Sequence, residues 1–303
     1  MNNNICQFIE FLNKYNYDYK LDESLKNHTS FKIGGNAKVF VTPENEEQLK
    51  ELITECINLN IRYYVLGNGS NTLFSDDDFD GVIISTTEKF NKIRKISENT
   101  FECDAGVKLS ALCNWALENS YTGFEDLYGI PGTVGGAIIT NAGAYDVEIS
   151  DVAIEVKHID DKGNFGSFIG DEIDFSYRHS AYEDNKYLIC SVVFVCETGN
   201  QEEIKARMDD LICRRKSKQP LEYPSAGSTF KRPKVGYAAA LIDKAGLKGT
   251  HVGDAEVSVK HSGFVINKGN ATCKDVLKLI EIIKDTVFEK FGIKLECEVR
   301  IVE

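Results

Sequence analysis

Residues 128–145 read YGIPGTVGGAIITNAGAY, and this stretch restricts the possible folds more than any other in the chain. It carries five glycines, at 129, 132, 135, 136 and 143, and almost no charge. A regular helix or strand cannot run through the whole of it, because each glycine gives up backbone order that a larger residue would keep. Something must offset that loss. One use is a buried, tightly turning crossing between elements; the other is a backbone brought close to a flat or anionic ligand.

The rest of the chain has room for either. Its 303 residues, 42% hydrophobic and 27% charged, suffice for two or three domains with a substantial core. A formal net charge of −12 argues against a broad nucleic-acid footprint, although a local basic patch survives in an acidic protein. No window approaches the roughly 18 apolar residues of a membrane span, and MNNNICQFIEFLNKYNY lacks a basic region followed by an apolar run. The expected location is therefore cytoplasmic, without membrane insertion. The nine cysteines form no CxxC pair and the five histidines no HExxH, so reduced, packed thiols and no metal are expected.

The pattern along the chain is α+β. Thr42-Pro43 reads as the start of a helix whose apolar face is Leu49, Leu52, Ile53, Cys56 and Ile57. IRYYVLG and DGVIIST read as strands on either side of the turn GNGSN, and a short amphipathic helix runs from Leu109 to Leu117. From 152 to 197, VAIEVKHID, a DKGN turn, an acidic loop and LICSVVFVCE suggest a mostly antiparallel sheet. Near Gly199 the character changes to a charged helix, QEEIKARMDDLICRRKSK, closed by Pro220. A helix over 235–245, the strand SGFVIN and a long helix from Thr272 follow, with Asp275 completing a capping-box signal. The long helix carries Val276, Leu279, Ile280, Ile283, Val287 and Phe291 on one stripe and stops at Gly292. In the last strand, IKLECEVRIV, Ile293, Leu295, Cys297, Val299 and Ile301 alternate with Lys294, Glu296, Glu298 and Arg300.

GNGSN (Gly67, Asn68, Gly69, Ser70, Asn71) follows a strand, where successive N–H groups turn readily toward a phosphate. It lacks the third glycine of a Rossmann fingerprint. A plain turn is the competing reading; two glycine-rich segments in one chain favour a dinucleotide lying across both. SAGSTFKRP (225–233) places small residues and hydroxyls ahead of a cationic pair, as a turn or cap also would. RRKSK (214–218) suits either a diphosphate or the negative end of a helix dipole. Taken singly, Arg178 in FSYRHS and Glu298 read as solvated charges.

Together these pieces resemble the UDP-N-acetylenolpyruvoylglucosamine reductases, flavoenzymes of bacterial cell-wall synthesis. Seven blocks stand in that family's order: SFKIGGNAKVF, LGNGSNTLFSDDDFDGVII, YGIPGTVGGAIITNAGAY, YRHS, SAGSTFKRP, DKAGLKGTHVGDAEVSVKHSGFVIN and LECEVR. The resemblance implies a vanillyl-alcohol-oxidase-type two-part FAD-binding fold plus a C-terminal α+β substrate domain. The parts would be 1–80 and 81–198 for flavin and 199–292 for substrate, with the last strand, 293–303, returning to the first. It implies non-covalent FAD held by Gly67, Asn68, Gly69, Ser70, Asn71, Gly129, Pro131, Gly132, Gly135, Gly136, Asn141, Gly143 and Ala144. NADPH and UDP-N-acetylglucosamine enolpyruvate would be the small-molecule partners, the latter contacted by Lys218, Lys231, Arg232 and Lys260.

By the same resemblance, Arg178 and Glu298 stabilise the incipient enediolate of the substrate while Ser228 protonates the neighbouring carbon. Glu296 is the rival of Glu298, being on the same face of one strand. The chain departs from the family pattern at Asp146, Arg232 and Asp254, where glycine, asparagine and glycine are usual. The short interval from Arg178 to Ser228 resembles the compact class without a substrate-clamping tyrosine loop. A flavin oxidase on the same fold and a non-catalytic flavin or nucleotide-sugar sensor are the alternative readings. The sensor leaves a proton donor without a use, and the oxidase leaves SAGSTFKRP without one.

Overall fold

The structure is a computed structural model that describes residues 3–145 and 147–303. Asp146, one of the departures from the family pattern, lies outside the described residues. The chain forms two compact units: Met1–Leu21 with Val39–Asn68 and Asp80–Cys213, and Asp22–Lys38 with Gly69–Phe79 and Arg214–Glu303. The last of the borders between them falls at 213/214, inside the helix Gln201–Lys218. The division at 80 and 198 remains a proposal about how the flavin and substrate roles are distributed. Mixed helices and strands run through both units, so the α+β class is the one expected.

The first unit is built on an all-antiparallel sheet in the order Phe165–Ile169, Ala153–Ile159, Leu188–Val195, Thr100–Asp104, Ile93–Lys95. Its central strand is buried over six consecutive residues, Ile189 to Phe194. Beneath it the rings of Phe101, Phe124, Phe194, Trp115 and Tyr121 interlock at centroid distances of 4.6–6.2 Å. Phe165–Ile169 lies within what reads in sequence as an acidic loop; it is an edge strand, mostly exposed, so no apolar alternation marks it.

Two further sequence expectations fail locally in this unit. Thr42 belongs to the strand Asn36–Thr42, and the helix Glu46–Asn58 is capped by Asn45, whose side chain accepts from the Gln48 N–H. Strand pairing and helix capping both favour Thr42, and the strand takes it. Ile57, expected on the buried face, is 51% exposed. The helix Asn3–Lys14, which buries Ile5, Phe8 and Leu12, has no clear signal in the sequence reading.

In the second unit the helix Cys273–Phe291 packs against a three-stranded antiparallel sheet, His251–Val252, Ala255–Val257 and Val265–Asn267. Thr272 and Asp275 form the expected reciprocal capping box, and Gly292 ends the helix at φ +68°. Val276, Leu279, Ile280, Ile283 and Val287 are buried, each contributing about 1.5–3 kcal/mol on burial; Phe291, at the C-terminal end of the stripe, is 37% exposed. The helix expected over 235–245 is shorter, Ala238–Lys244, because Gly236 at φ +78° turns the chain just before it.

The last strand is interrupted. Residues 296–298 pair with 229–231, through Lys231 N–H to the Glu296 carbonyl and Glu298 N–H to the Thr229 carbonyl, both 2.9 Å. The chain then changes partner, and Arg300–Val302 runs parallel to Thr72–Phe74. That switch breaks the alternation, leaving Val302 buried and Ile301 42% exposed.

All nine cysteines are free. Cys56, Cys103, Cys113, Cys190, Cys196 and Cys273 are buried, Cys297 is half-buried, and Cys6 and Cys213 are exposed instead of packed. No described helix is long and apolar enough to cross a membrane.

Candidate active site

GNGSN leaves the expected strand, Tyr63–Leu66, and enters the short strand Thr72–Phe74, which precedes Phe79–Ser85, the strand expected from DGVIIST. Among the described residues, none of the five N–H groups from Gly67 to Asn71 donates a hydrogen bond. Gly69 sits at φ +59°, where a Cβ would strike the His28 carbonyl. Its own carbonyl is clasped by Ser30, whose N–H lies at 3.1 Å and hydroxyl at 3.4 Å. The turn is thus fixed by its carbonyl side, while its donors are unspent within the protein. A run of such donors fits a pyrophosphate, the part of FAD with most charge to satisfy.

The 128–145 run is arranged differently. The N–H groups of Tyr128, Ile130, Gly132, Val134, Gly135, Ala137, Asn141 and Ala142 donate to the chain's own carbonyls, and that of Gly136 to the Thr133 hydroxyl. Thr133 caps the helix Val134–Ile139, and its Oγ1 would lie 2.7 Å from a Cβ on Gly67, so the two glycine segments meet here. Gly135 is buried against Ala105, whose Cβ would be 2.9 Å from an added methyl. Gly143 would meet the Val147 carbonyl at 2.6 Å. Gly136 differs from both: it is exposed, and an added Cβ would find only Thr133 Oγ1, at 3.4 Å. Of the other expected flavin contacts, Pro131 is exposed, Gly129 and Ala144 are half-exposed, and the Gly132 carbonyl accepts from the Leu109 N–H.

Arg178 is held at the end of this run. It adopts φ +55°, and its guanidinium donates to the carbonyls of Asn141 at 3.4 Å and Gly143 at 3.3 Å. Asn141 is 1% exposed, with its amide engaged by Glu148 at 2.7 Å and the Ser176 carbonyl at 3.2 Å. Its side chain therefore builds the Arg178 perch.

In the second unit three motifs far apart in sequence converge. The Ser30 hydroxyl that touches Gly69 also donates to the Ser225 carbonyl at 2.6 Å, at the start of SAGS. Asn71 Nδ2 donates to the Glu298 carbonyl at 3.1 Å, and the Thr229 carbonyl accepts from the Glu298 N–H. Ser228 and Glu298 thus stand on adjoining backbone segments, with Ser228 exposed and preceded by Gly227 at φ +77°. Thr229 is buried and accepts from the Val265 N–H at 3.0 Å, locking that pairing to the sheet.

Residues 219–302 match the UDP-N-acetylenolpyruvoylglucosamine reductase C-terminal domain, and residues 37–166 match the FAD binding domain family. A UDP-N-acetylenolpyruvoylglucosamine reductase of Clostridium novyi is 52% identical over 92% of this chain and 90% of its own length. The chain belongs to the UDP-N-acetylenolpyruvoylglucosamine reductase family. A Clostridium botulinum reductase is 46% identical over 99% of this chain and 97% of its own. The crystal structure of the Thermus caldophilus reductase superposes with a TM-score of 0.79 at 34% identity, covering 95% of this chain and 99% of that one.

The remaining residues that the reductase resemblance singled out fall in the second unit. Lys231 is half-buried beside Glu296, and Arg232 is exposed with its guanidinium 4.3 Å from the Tyr237 ring centroid. Lys218 is exposed at the end of its helix. Lys260 donates to the Lys216 carbonyl at 2.9 Å and to Glu222 at 3.3 Å, so it closes the C-terminal end of that helix. Asp254 accepts from the Asn270 N–H at 2.7 Å and pins the turn before the long helix. The sequence reading missed Ser30, Thr133 and Thr229. Only Thr133 carried a signal, as a threonine one residue before a helical start.

Proposed function

We infer that this chain reduces UDP-N-acetylglucosamine enolpyruvate to UDP-N-acetylmuramate, with NADPH as reductant and non-covalently bound FAD, as a cytoplasmic step of peptidoglycan precursor synthesis. The observation that carries it is the Glu298 N–H to Thr229 carbonyl bond, which stations a hydroxyl and a carboxyl group on neighbouring segments. A sensor has no use for that arrangement. The open N–H groups of Gly67–Asn71 fit the FAD pyrophosphate, with exposed Gly136 offering a second close approach. When bound, FAD supplies the hydride that NADPH delivers to it.

The protein's own residues then handle charge and a proton. The substrate is a vinyl ether conjugated to a carboxylate, so hydride addition drives negative charge onto the carboxylate. Arg178, oriented by two backbone carbonyls, is a fixed cation for that charge. Glu298, when protonated, donates a hydrogen bond to it; one such donor is worth roughly 2.7–4 kcal/mol in comparable sites. The Ser228 hydroxyl gives its proton to the adjacent carbon, a transfer from a weak acid to a strong carbon base that needs only fixed geometry. Glu298 is preferred to Glu296 because Asn71 and Thr229 both anchor its backbone, whereas Glu296 is exposed. Lys231 and Arg232, three and four residues after Ser228, are the diphosphate contacts, with Lys218 and Lys260 as further cations.

An anaerobic absorbance experiment tests this. The purified protein should show an oxidised flavin spectrum that bleaches with NADPH and returns when the enolpyruvate substrate is added. A spectrum that stays bleached until air enters would make the chain an oxidase, and protein that takes up no FAD would remove the reading altogether.

A further inference from the structure

Of the 18 residues in the helix Gln201–Lys218, Ile204, Met208 and Leu211 are buried. Arg207 lies on that same stripe, three residues after Ile204 and four before Leu211. Its Nε donates to Asp126 Oδ1 at 2.9 Å and its Nη2 to Asp126 Oδ2 at 2.8 Å, so one guanidinium takes both oxygens of the carboxylate. Asp126 is 7% exposed and belongs to the single turn Glu125–Leu127 that leads into 128–145. At the other end of that run, the Tyr145 hydroxyl donates to the Leu211 carbonyl at 3.4 Å. The glycine-rich run therefore departs from and returns to one face of one helix, at positions about 6 Å apart along its axis. The start of that helix is itself tied down: Gln201 Nε2 donates to the Leu117 carbonyl at 2.9 Å, and Glu197–Thr198 pairs with Tyr121–Thr122 just ahead of it.

We propose that Arg207 is a positioning residue for FAD: through Asp126 it fixes where the 128–145 segment begins, and Leu211, one turn on, receives the segment's far end. This rests on the reading of 128–145 as a flavin segment. An ion pair with a half-exposed arginine adds little net stability, and a methionine at 207 would simply continue the apolar stripe. What the bidentate fork adds is direction, since two N–H groups of one planar cation fix both the distance and the orientation of the carboxylate. The middle of the segment is held elsewhere, by the Val134 N–H on the Val107 carbonyl and the Gly135 N–H on the Ala105 carbonyl, both at 2.8 Å. Gly129 and Pro131 follow the Asp126 turn, and Gly143 and Ala144 precede Tyr145, so expected flavin contacts lie directly inside the two holds. A segment that spends less time in the binding geometry takes up FAD more weakly by that fraction, with no flavin contact removed.

The test titrates FAD into the full-length protein stripped of flavin and melts the same stripped protein. Arg207→Lys keeps the charge but not the fork, and should bind FAD about 3-fold more weakly with a melting temperature close to wild type. Asp126→Leu combined with Arg207→Met replaces the pair by apolar groups; it should melt at or above the wild-type temperature yet bind FAD about 10-fold more weakly. Tyr145→Phe, which removes the second hold, should weaken FAD binding about 2-fold. Wild-type FAD affinity in both Arg207 variants would overturn the proposal, as would weakening that appears only where the stripped protein melts lower, because the pair is then purely structural. If the apolar pair does not fold, Arg207→Lys alone decides. Failure of the flavin reading looks different, since Gly136→Ala would then bind FAD as wild type does. A weakened Gly136→Ala beside unaffected Arg207 variants removes the role of Arg207 and leaves that reading intact.

Discussion

The two glycine-rich segments have opposite hydrogen-bond economies. In Gly67–Asn71 the donors are left open and the carbonyl of Gly69 is pinned; in 128–145 at least nine donors are already satisfied by the chain. Glycine is needed in the first for a left-handed turn and in the second mainly for close approach of the protein to itself, as at Gly135 and Gly143. A glycine-rich stretch therefore does not by itself mark a ligand contact. The contacts an added Cβ would make show that Gly135 and Gly143 serve packing, whereas Gly136 is exposed and would meet only Thr133 Oγ1 at 3.4 Å.

Substitutions separate these roles. The largest effect is expected for Gly69→Ala, where a left-handed backbone costing about 1–2 kcal/mol combines with a collision against the His28 carbonyl. Urea unfolding should show a loss above about 2 kcal/mol together with loss of FAD. A stable, yellow Gly69→Ala protein would break the account of the turn. Gly135→Ala comes next, because its methyl meets Ala105 in a close-packed interior. Overpacking of this kind costs about 1–3 kcal/mol, and the loss should appear in apoprotein as fully as in holoprotein. If only the holoprotein is weakened, Gly135 faces the ligand after all.

A pH series supplies the control, since neither glycine segment holds a histidine. Burial lowers the pKa of His158, which is 4% exposed and bonded through Nδ1 to the Tyr182 hydroxyl at 2.8 Å. The unfolded chain then takes up a proton first as pH falls below about 6.5, so the stabilisation is complete above that value and is lost through the folded pKa below it. His261, lowered by burial in the second unit, acts in the same direction. Melting temperature should fall from pH 7 to 5, less steeply in His158→Gln, and by the same amount in wild type and Gly136→Ala.

Much of this was readable in advance. The Thr272–Asp275 capping box and the strand that enters GNGSN follow local rules that spacing displays, whereas the serine and carboxylate motifs stand out only through the family resemblance. What failed was decided by partners distant in sequence. Thr42 was claimed by a strand, and the last strand changes partner between Glu298 and Arg300, which no alternation reports. Gly135 lies 30 residues from Ala105, the residue its added Cβ would meet, and the Ser30 clasp reaches 39 residues to Gly69 and 195 to Ser225. Sequence periodicity describes one element at a time, whereas the candidate site is assembled from backbone contacts between elements.

Gly136→Ala is the smallest change in stability and the most direct measurement. Alanine suits a helical position there and meets only Thr133 Oγ1 at 3.4 Å, so the apoprotein should melt at the wild-type temperature or slightly above, by up to about 1 kcal/mol of added stability. FAD titrated into that apoprotein should bind at least 10-fold more weakly than into wild type, about 1.4 kcal/mol, if the flavin approaches this backbone. Unchanged FAD affinity in a stable Gly136→Ala protein would contradict the account and leave the 128–145 glycines with packing as their only use.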